Sequence, residues 1–426
     1  MKGRIAKALS IVIASLAALV AATPSQAVPA WARQTGKACT TCHFQHYPAL
    51  NDYGQEFKAS GFTEMGKQQV LKGKDFSLPA ILNASVFFKI RYQKTNGDDH
   101  PDEPTPASGE WQFPDEFALL LGGRVTENVG YMIEGQLANG AAPLLAGFKM
   151  PFMFKAGKDM KVGVVPYTTD ALGASYGFEL LNTGAVRNVR IMEHRNESSA
   201  QQYIGTATPA MGAALVAWHP QFFVNLTKWS PNHAAIAEER ANGNPSSTYL
   251  RAAWTPTVGD WSLGLGVQSW SGSSDRDDDS GNGTVETIDT KAVAFDAQAQ
   301  GVVGGMPLGV YLTHARADGT PAGGRLNLYN ANRNDRKATA LTVELGVIPN
   351  KATVLFAYRK ANTGSTSANS DDDAVTIGAT YQYAQNVGFQ LLLSKRDKGG
   401  SANVGRYPGS LSPGDNLVTF MFSAGF

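Results

Sequence analysis

From about residue 80 to the end of the chain, apolar and polar residues alternate with a period of two in one segment after another. The last segment is typical: every second residue from Val418 to Phe426 is apolar, and the residues between them are mostly polar or small. This is the pattern of a β-strand with one apolar face, because successive side chains point to opposite sides of a sheet. Segments of roughly ten residues with this pattern are typical of strands that cross an outer membrane.

The connections between these segments alternate in length. Every second connection is short, such as 126–128 and 349–350, whereas most of the others are long and polar, such as 168–209. Short turns at one end and long loops at the other are typical of an up-and-down membrane barrel. We therefore predict an all-β fold, a 16-stranded antiparallel outer-membrane β-barrel over 80–426, correct to within two strands; a soluble β-domain is the alternative. The predicted strands are 80–92, 113–125, 129–138, 144–155, 159–167, 210–218, 221–229, 247–256, 260–271, 289–303, 305–317, 337–348, 351–361, 373–384, 387–396 and 415–426.

Aromatic residues near the predicted strand ends also favour a membrane barrel. Interfacial aromatic girdles flank the apolar band of such barrels, although buried core tryptophans would give the same spacing. The terminal Phe426 ends an alternating aromatic strand, which resembles the recognition signal of barrel-assembly machinery. The tryptophans assigned to the girdles are Trp111, Trp218, Trp229, Trp254, Trp261 and Trp270.

The first 27 residues have the pattern of an export signal. Lys2, Arg4 and Lys7 form a positively charged start, 8–22 is an apolar run, and 25–27 offers small residues for cleavage. An uncleaved anchor is the alternative, but the run is short for a membrane-spanning helix. We predict a signal peptide at 1–27 and a mature chain that begins at Val28 outside the cytoplasm. The net charge of +1 argues against nucleic acid as a partner.

One short motif carries the candidate chemistry. Cys39 and Cys42 are the only two cysteines of the chain, and His43 follows them directly. This spacing matches c-type haem attachment, in which both thiols bond the haem and the histidine becomes the proximal iron ligand. A zinc site would need four ligands, and a thioredoxin-like pair would need a βαβ unit, which is missing from the sequence. We predict one covalently bound haem c.

The motif lies in a short segment, 28–79, which we predict to be a monohaem cytochrome c domain. It is rich in aromatic residues, and a helix is predicted at 48–59. About fifty residues rarely bury enough apolar surface to be stable alone, whereas a 16-stranded barrel would leave an aqueous channel. We therefore expect this segment to plug the barrel lumen from the short-turn side, so that the barrel wall completes the haem pocket.

The distal side of the haem is less constrained by the sequence. Met65 is the first candidate for the second iron ligand, since His/Met ligation is common in cytochromes c. Met132, Met153 and Met421 are alternatives on predicted lumen-facing positions. His46 is too close to His43 to reach the opposite haem face, and we expect it to be a partly exposed polar residue. Arg33 and Lys37 are candidates for pairing with the haem propionates, with solvent exposure as the alternative for both.

The residues around the motif are similar to the N-terminal signature of fused monohaem cytochrome–porins, the outer-membrane iron-oxidising cytochromes. The matching positions are 31–36, 39–43, Pro48, 50–51, Gly54, 57–58 and Gly61. Trp31 and Tyr53 depart from the expected residues but remain aromatic. The resemblance implies that Cys39 and Cys42 are thioether sites and that His43 is the proximal ligand. The barrel half carries no diagnostic motif of this family.

The resemblance further implies oxidation of extracellular Fe(II), with electrons passed to a periplasmic cytochrome or other carrier. Acidic clusters at 98–103, 275–279 and 371–373 offer oxygen ligands that would concentrate ferrous iron, although for any single cluster a solvated loop or a divalent-cation bridge to lipopolysaccharide is the commoner explanation. The alternatives are a diffusion porin with a sensor haem, an electron conduit for another donor, and a peroxidase-like enzyme. No hydrolase constellation is present in the sequence.

Overall fold

A computed structural model describes residues 30–74, 76–96, 109–138, 144–184, 191–233, 244–277, 285–366, 370–396 and 415–426. The predicted signal peptide and the acidic cluster at 98–103 lie outside these residues, as do Asp278 and Asp279 of the second acidic cluster.

Sixteen antiparallel strands form a closed barrel, which confirms the predicted fold class and strand number. The barrel closes because the last strand pairs with the first, with Phe422 opposite Ile90. Strand β4 is interrupted at 150–151 and strand β8 at 255–256, and both parts of each lie in the barrel wall. The strands are β1 Ala84–Thr95, β2 Glu110–Arg124, β3 Gly130–Gln136, β4 Leu145–Lys149 with Phe152–Lys155, β5 Lys161–Thr169, β6 Ala210–His219, β7 Phe222–Ser230, β8 Ser247–Trp254 with Thr257–Val258, β9 Trp261–Ser271, β10 Ala292–Val303, β11 Met306–Ala317, β12 Arg336–Ile348, β13 Ala352–Asn362, β14 Ala374–Ala384, β15 Val387–Arg396 and β16 Asn416–Gly425.

Alternation along each strand separates an apolar outer face from a polar inner face. In β7, Val224 and Leu226 point outward with 37% and 44% of their surface exposed, whereas Asn225 and Thr227 are fully buried inside the barrel. The strand sequence dictates this arrangement, since a shift of one residue would exchange the two faces. Among the described residues, no helix is long and apolar enough to cross a membrane.

The aromatic-girdle prediction is only partly correct. Trp111 and Trp254 are 64% and 55% exposed on the outside, as expected, but Trp218, Trp229 and Trp270 are buried. Trp229 lies in phase with the inward residues of its strand, and the ring of Trp270 packs 5.0 Å from that of Tyr249 inside the barrel. The phase of a tryptophan within the strand alternation therefore predicts whether it faces lipid or lumen better than its distance from the strand end does.

The long connection between β5 and β6 folds back into the barrel. We call its described residues, 170–184 and 191–209, the inner segment; it contains a 3₁₀ turn, Ala174–Tyr176, and two short helices, Arg195–Ser198 and Ala200–Tyr203. Its backbone bonds to inward side chains of the wall: Asn225 donates to the Phe178 carbonyl at 2.9 Å, and the Ala200 N–H donates to Thr313 at 3.0 Å. The sequence predicted only a polar loop here. Its apolar residues are buried instead, among them Phe178, Leu180, Leu181, Ile191 and Met192.

The N-terminal segment forms three short helices, α1 Ala30–Thr35, α2 Cys39–Cys42 and α3 Asp52–Ala59, followed by a small hairpin of Val70–Lys72 and Ser77–Pro79. Helix α3 begins four residues later than predicted because the Asn51 side chain caps it, accepting the Gly54 N–H at 3.0 Å. A second hairpin, Ser273–Asp277 with Val285–Asp289, forms in the long connection between β9 and β10.

Candidate functional site

Cys39, Cys42 and His43 line one cavity of about 330 Å³. The N-terminal segment supplies one side of this cavity, and strands β1 to β4, the inner segment and the β14–β15 turn supply the others. Its volume lies in the range of ligand-binding cavities, which are mostly apolar with a few placed polar groups. The large apolar residues that line it include Phe57, Phe62, Phe87, Leu121, Met132 and Leu180.

The two cysteines are free thiols, and each is partly exposed. They lie one helical turn apart on α2, where the His43 N–H donates to the Cys39 carbonyl at 3.0 Å. The Cys39 N–H donates to the Gln385 side chain at 3.0 Å, which connects the motif to the turn between β14 and β15. Burial raises the pKa of Cys42 to about 11. Because a reactive thiol needs a lowered pKa, this environment argues against a thiol–disulfide exchange role.

The His43 ring is held in the orientation of a metal-binding imidazole. Its Nδ1 lies 3.1 Å from the Ala49 carbonyl, so Nδ1 carries the proton and Nε2 keeps its lone pair. Burial lowers the pKa of His43 to about 4, and the ring is therefore neutral near pH 7, the form that binds metals. The ring also packs edge-on against Tyr47, with centroids 5.3 Å apart. Two thiols and a neutral imidazole on one apolar cavity fit the chemistry of a c-type haem site.

Helices α2 and α3 touch at a position that only glycine can occupy. A Cβ atom added to Gly54 would lie 2.1 Å from the Cys42 carbonyl oxygen. A contact this close between backbone and side chain cannot be relieved by a change of rotamer. The packing of α3 therefore sets the position of the Cys42–His43 peptide.

We expect Gly54→Ala to destabilise the N-terminal segment by about 1–3 kcal/mol, the usual cost of overpacking. The measurement is limited proteolysis of the N-terminal segment in detergent at increasing urea concentrations. Gly135→Ala is the control, since its added Cβ would meet its nearest neighbour at an ordinary 3.4 Å. Equal denaturation midpoints for the two variants would show that the α2–α3 contact does not matter.

His46 is buried, which corrects the expectation that it is partly exposed. Its Nε2 lies 2.9 Å from the Glu344 carboxylate, and the two side chains are 4% and 0% exposed. Glu344 points inward from β12, so this pair joins the N-terminal segment to the barrel wall. The sequence did not reveal the pair because its members are far apart along the chain. Burial alone would lower the pKa of His46, but the Glu344 charge and the hydrogen bonds to Glu344 and Tyr47 raise it above 6.5.

This pair predicts a pH-dependent contact between the segment and the wall. A raised folded-state pKa adds stability that is fully present below the unfolded value of 6.5 and is lost as the pH rises through the folded value. We expect Glu344→Gln to weaken the contact by about 3–5 kcal/mol at pH 6 and to flatten its pH profile. Protease susceptibility of the N-terminal segment between pH 5 and 9 measures both effects.

Glu127→Gln is the matched control for that experiment. Glu127 forms an ion pair with Arg124, but its side chain is 75% exposed, and exposed pairs contribute at most about 1 kcal/mol. If Glu344→Gln behaves like Glu127→Gln at every pH, the His46 pair does not anchor the segment.

The cavity lining bears on the second iron ligand. Among the described residues that line the cavity, Met132 is present and Met65 is not. Met153 is buried and lies beside Gly61. Ligation by Met65 stays a prediction, and Met132 becomes the alternative that the cavity favours.

The two candidates for propionate binding have other partners. The Arg33 guanidinium donates to the Ala84 carbonyl, and Lys37 lies 3.4 Å from the Glu64 carboxylate. Of these two residues, only Lys37 is among the described residues that line the cavity.

The described acidic residues of the long loops are largely structural. Asp372 is fully buried and accepts from Arg359 at 2.8 Å, and the Asp373 carboxylate accepts the Ala361 N–H at 3.1 Å. Asp275 accepts from the Thr287 hydroxyl at 2.6 Å. Within the described parts of the chain, no group of three or more His, Cys, Asp or Glu side chains is placed to hold a metal ion.

Comparison with known proteins finds no matching protein-family model and no matching curated protein. Among solved structures, a loop-deletion mutant of OmpT, an outer membrane protein of Vibrio cholerae, matches with 12% identity over 81% of this chain and 99% of that chain, at a TM-score of 0.47. A mutant of the Rh. blastica porin matches with 11% identity over 81% and 100%, also at 0.47. The outer membrane channel DcaP of Acinetobacter baumannii matches with 12% identity over 84% and 99%, at 0.45. Similarity at this level supports no inference about what this chain does, and the resemblance to cytochrome–porins stays a prediction from the residues.

Proposed function

We propose that this protein is an outer-membrane c-type cytochrome joined to a porin-like barrel, and that it transfers electrons from extracellular ferrous iron to a periplasmic carrier. The observation that carries the proposal is the shared cavity. Cys39, Cys42 and His43 line it together with inward residues of the barrel wall, so the attachment motif and the barrel form a single site.

Different residues of the cavity would hold different parts of the haem. The Cys39 and Cys42 sulfurs would form thioether bonds to the haem, and His43 Nε2 would bind its iron, with Nδ1 held by the Ala49 carbonyl. Phe57, Phe62 and the wall residue Phe87 are buried in the cavity lining and would shield the haem from water. A haem held in this way supplies one-electron redox chemistry with little change in structure.

Membrane insertion follows from the outer surface of the barrel. The outward side chains are apolar along the strands, as in Val224, Leu226 and Leu391, and this suits the lipid-facing band of about 25 Å. The short turns of such barrels face the periplasm, and the cavity borders the short β14–β15 turn. The site therefore lies toward the side from which a periplasmic carrier would collect electrons.

The main rival, a diffusion porin with a sensor haem, needs an open lumen. The inner segment contacts wall residues on several sides of the barrel, including Asn225, Thr313 and Ser394. Its buried residues occupy space that a diffusion channel would need, so we favour electron transfer over diffusion. The choice of ferrous iron as donor comes from the family resemblance.

The test begins with protein purified from the outer-membrane fraction. A pyridine haemochrome spectrum of c-type, with one haem per chain, is the expected result, followed by reduction of the haem on mixing with ferrous iron in a stopped-flow instrument. A protein without covalent haem would overturn the proposal as a whole. A haem that is reduced by sulfide or an electrode, but not by ferrous iron, would overturn only the donor.

A further inference from the structure

Two lysines from different parts of the chain line the cavity that Cys39, Cys42 and His43 share. Lys58 lies on helix α3 of the N-terminal segment, and Lys149 lies at the end of the first part of β4, with only 5% of its surface exposed. A mostly apolar cavity is a costly place for two positive charges unless an anion accompanies them.

The hydrogen-bond partners of these two lysines carry no negative charge that would balance the ammonium groups. Lys149 donates to the Tyr176 carbonyl at 3.0 Å and lies 4.1 Å from the centre of the Tyr176 ring; both are neutral partners. The Lys58 side chain makes no hydrogen bond or ion pair among the described residues. Burial lowers the pKa of Lys58, and the charge of Glu179 offsets part of this effect.

Three carboxylates also line the cavity, and two of them are committed elsewhere. Glu179 accepts two bonds from Arg251, at 2.9 and 3.2 Å. Glu116 pairs with Lys89 at 2.6 Å. Glu134 also lines the cavity and has interactions of its own. The charges of Glu179 and Glu134 act on Lys58 and Lys149, but neither lysine forms an ion pair with a carboxylate among the described residues. Both ammonium groups can therefore still pair with a bound anion.

Lys149 and the cysteines approach the cavity from different parts of the molecule. The Cys39 N–H donates a hydrogen bond to the side chain of Gln385, in the turn between β14 and β15. Lys149 lies on β4, five strands further around the barrel in the order β15, β16, β1, β2, β3, β4. A planar ligand bonded to the thiols at one edge would therefore present its opposite edge to another part of the wall.

We infer that Lys58 and Lys149 form the binding site for the two carboxylates of the haem. The inference rests on the proposed function and extends it to the edge of the haem opposite the thioether bonds. It replaces Arg33 and Lys37, which the sequence suggested for this role. Because one lysine belongs to the N-terminal segment and the other to the wall, a ligand held by both would fasten the segment to the barrel.

The experiment compares the single variants Lys58→Gln and Lys149→Gln with two controls in the full-length, haem-loaded protein. Lys155→Gln removes an exposed lysine from the second part of β4, and Lys37→Gln removes a cavity lysine that is paired with Glu64. Resonance Raman bands of propionate bending and the reduction potential are the readouts. The electrophoretic mobility of unheated protein shows whether each barrel is folded.

We expect each of the first two variants to shift the propionate bands and to favour the oxidised haem, since a positive charge near the iron is lost. The expected change in the oxidation equilibrium is about tenfold, or about 59 mV for one electron. Lys155→Gln is expected to change neither readout, and Lys37→Gln is expected to leave the propionate bands unchanged. If Lys149→Gln fails to fold, Lys58→Gln still tests the inference, because Lys58 lies outside the barrel strands.

The possible failures are distinguishable. Wild-type protein with no covalent haem would overturn both the proposed function and this inference. Wild-type protein that holds haem, with both lysine variants unchanged, would overturn the inference alone. A shift in Lys37→Gln instead of the other two would also overturn it and return the role to the residue suggested by the sequence.

Discussion

Serine at both Cys39 and Cys42 is expected to remove all covalently bound haem while the barrel still folds. The thioether bonds need the two sulfur atoms, and these are the only cysteines of the chain. Barrel closure depends on the pairing of β16 with β1 and does not involve the motif. Haem content is measured by the pyridine haemochrome spectrum of denatured protein, and folding by the mobility of unheated protein in gels.

The matched control for the double serine variant is Thr40→Ser with Thr41→Ser. These residues lie between the cysteines on helix α2, so the change alters the same turn and leaves both thiols in place. We expect full haem content in this control and reduction by ferrous iron at the wild-type rate. Covalent haem in the cysteine variant, or its absence from the threonine control, would contradict the assignment of the thiols.

A second large effect is expected at Arg251, which is fully buried on the inner face of β8. Its guanidinium donates to Asp296 at 2.6 and 2.9 Å and to Glu179 of the inner segment at 2.9 and 3.2 Å. Arg251→Met would leave two buried carboxylates without their cation. Breaking a buried ion pair in this way costs about 3–5 kcal/mol.

The inner segment is expected to detach first, because Glu179 connects it to the wall at this point. Leu180 and Leu181 follow Glu179 and line the cavity, so the variant is also expected to bind haem in a wetter environment with a broader Soret band. Urea denaturation in detergent measures the stability, and limited proteolysis of the inner segment measures its release.

Arg316→Met is the control for that variant. Arg316 also faces two carboxylates, Asp318 at 3.4 Å and Asp335 at 2.8 Å, but its side chain is 51% exposed. Exposed pairs contribute at most about 1 kcal/mol, so only a small loss is expected. If Arg251→Met and Arg316→Met unfold at the same urea concentration, the buried cluster does not hold the inner segment.

The alternation within each strand predicted the barrel, whereas the aromatic-girdle prediction failed for Trp218, Trp229 and Trp270. The alternation was sufficient to place all sixteen strands, because each strand is specified by its own residues. The position of Trp229 on the inner face could also have been predicted, since it is in phase with Asn225 and Thr227 of the same strand. Nearness to a strand end was used instead, and that property does not distinguish lipid from lumen.

The content of the lumen was missed for a different reason. The connection 168–209 looked like other long polar loops, and the apolar residues Phe178, Leu180 and Leu181 were the signal that it would be buried. The burial of His46 was missed because its partner Glu344 lies almost 300 positions away. Lys58 was among the positions that match the cytochrome–porin signature but had no role assigned to it, and Lys149 belonged to no recognisable pattern.

The sequence by itself determined the closed barrel and the position of the Cys39–His43 motif. Both are local properties: a period of two acts over about ten residues, and Cys39 to His43 is a single turn of chain. Only the tertiary structure decided which residues surround the motif. The wall, the inner segment and the N-terminal helices meet there from distant parts of the chain. Which charged groups are buried, and which of them form pairs, depends on contacts between residues far apart in the sequence.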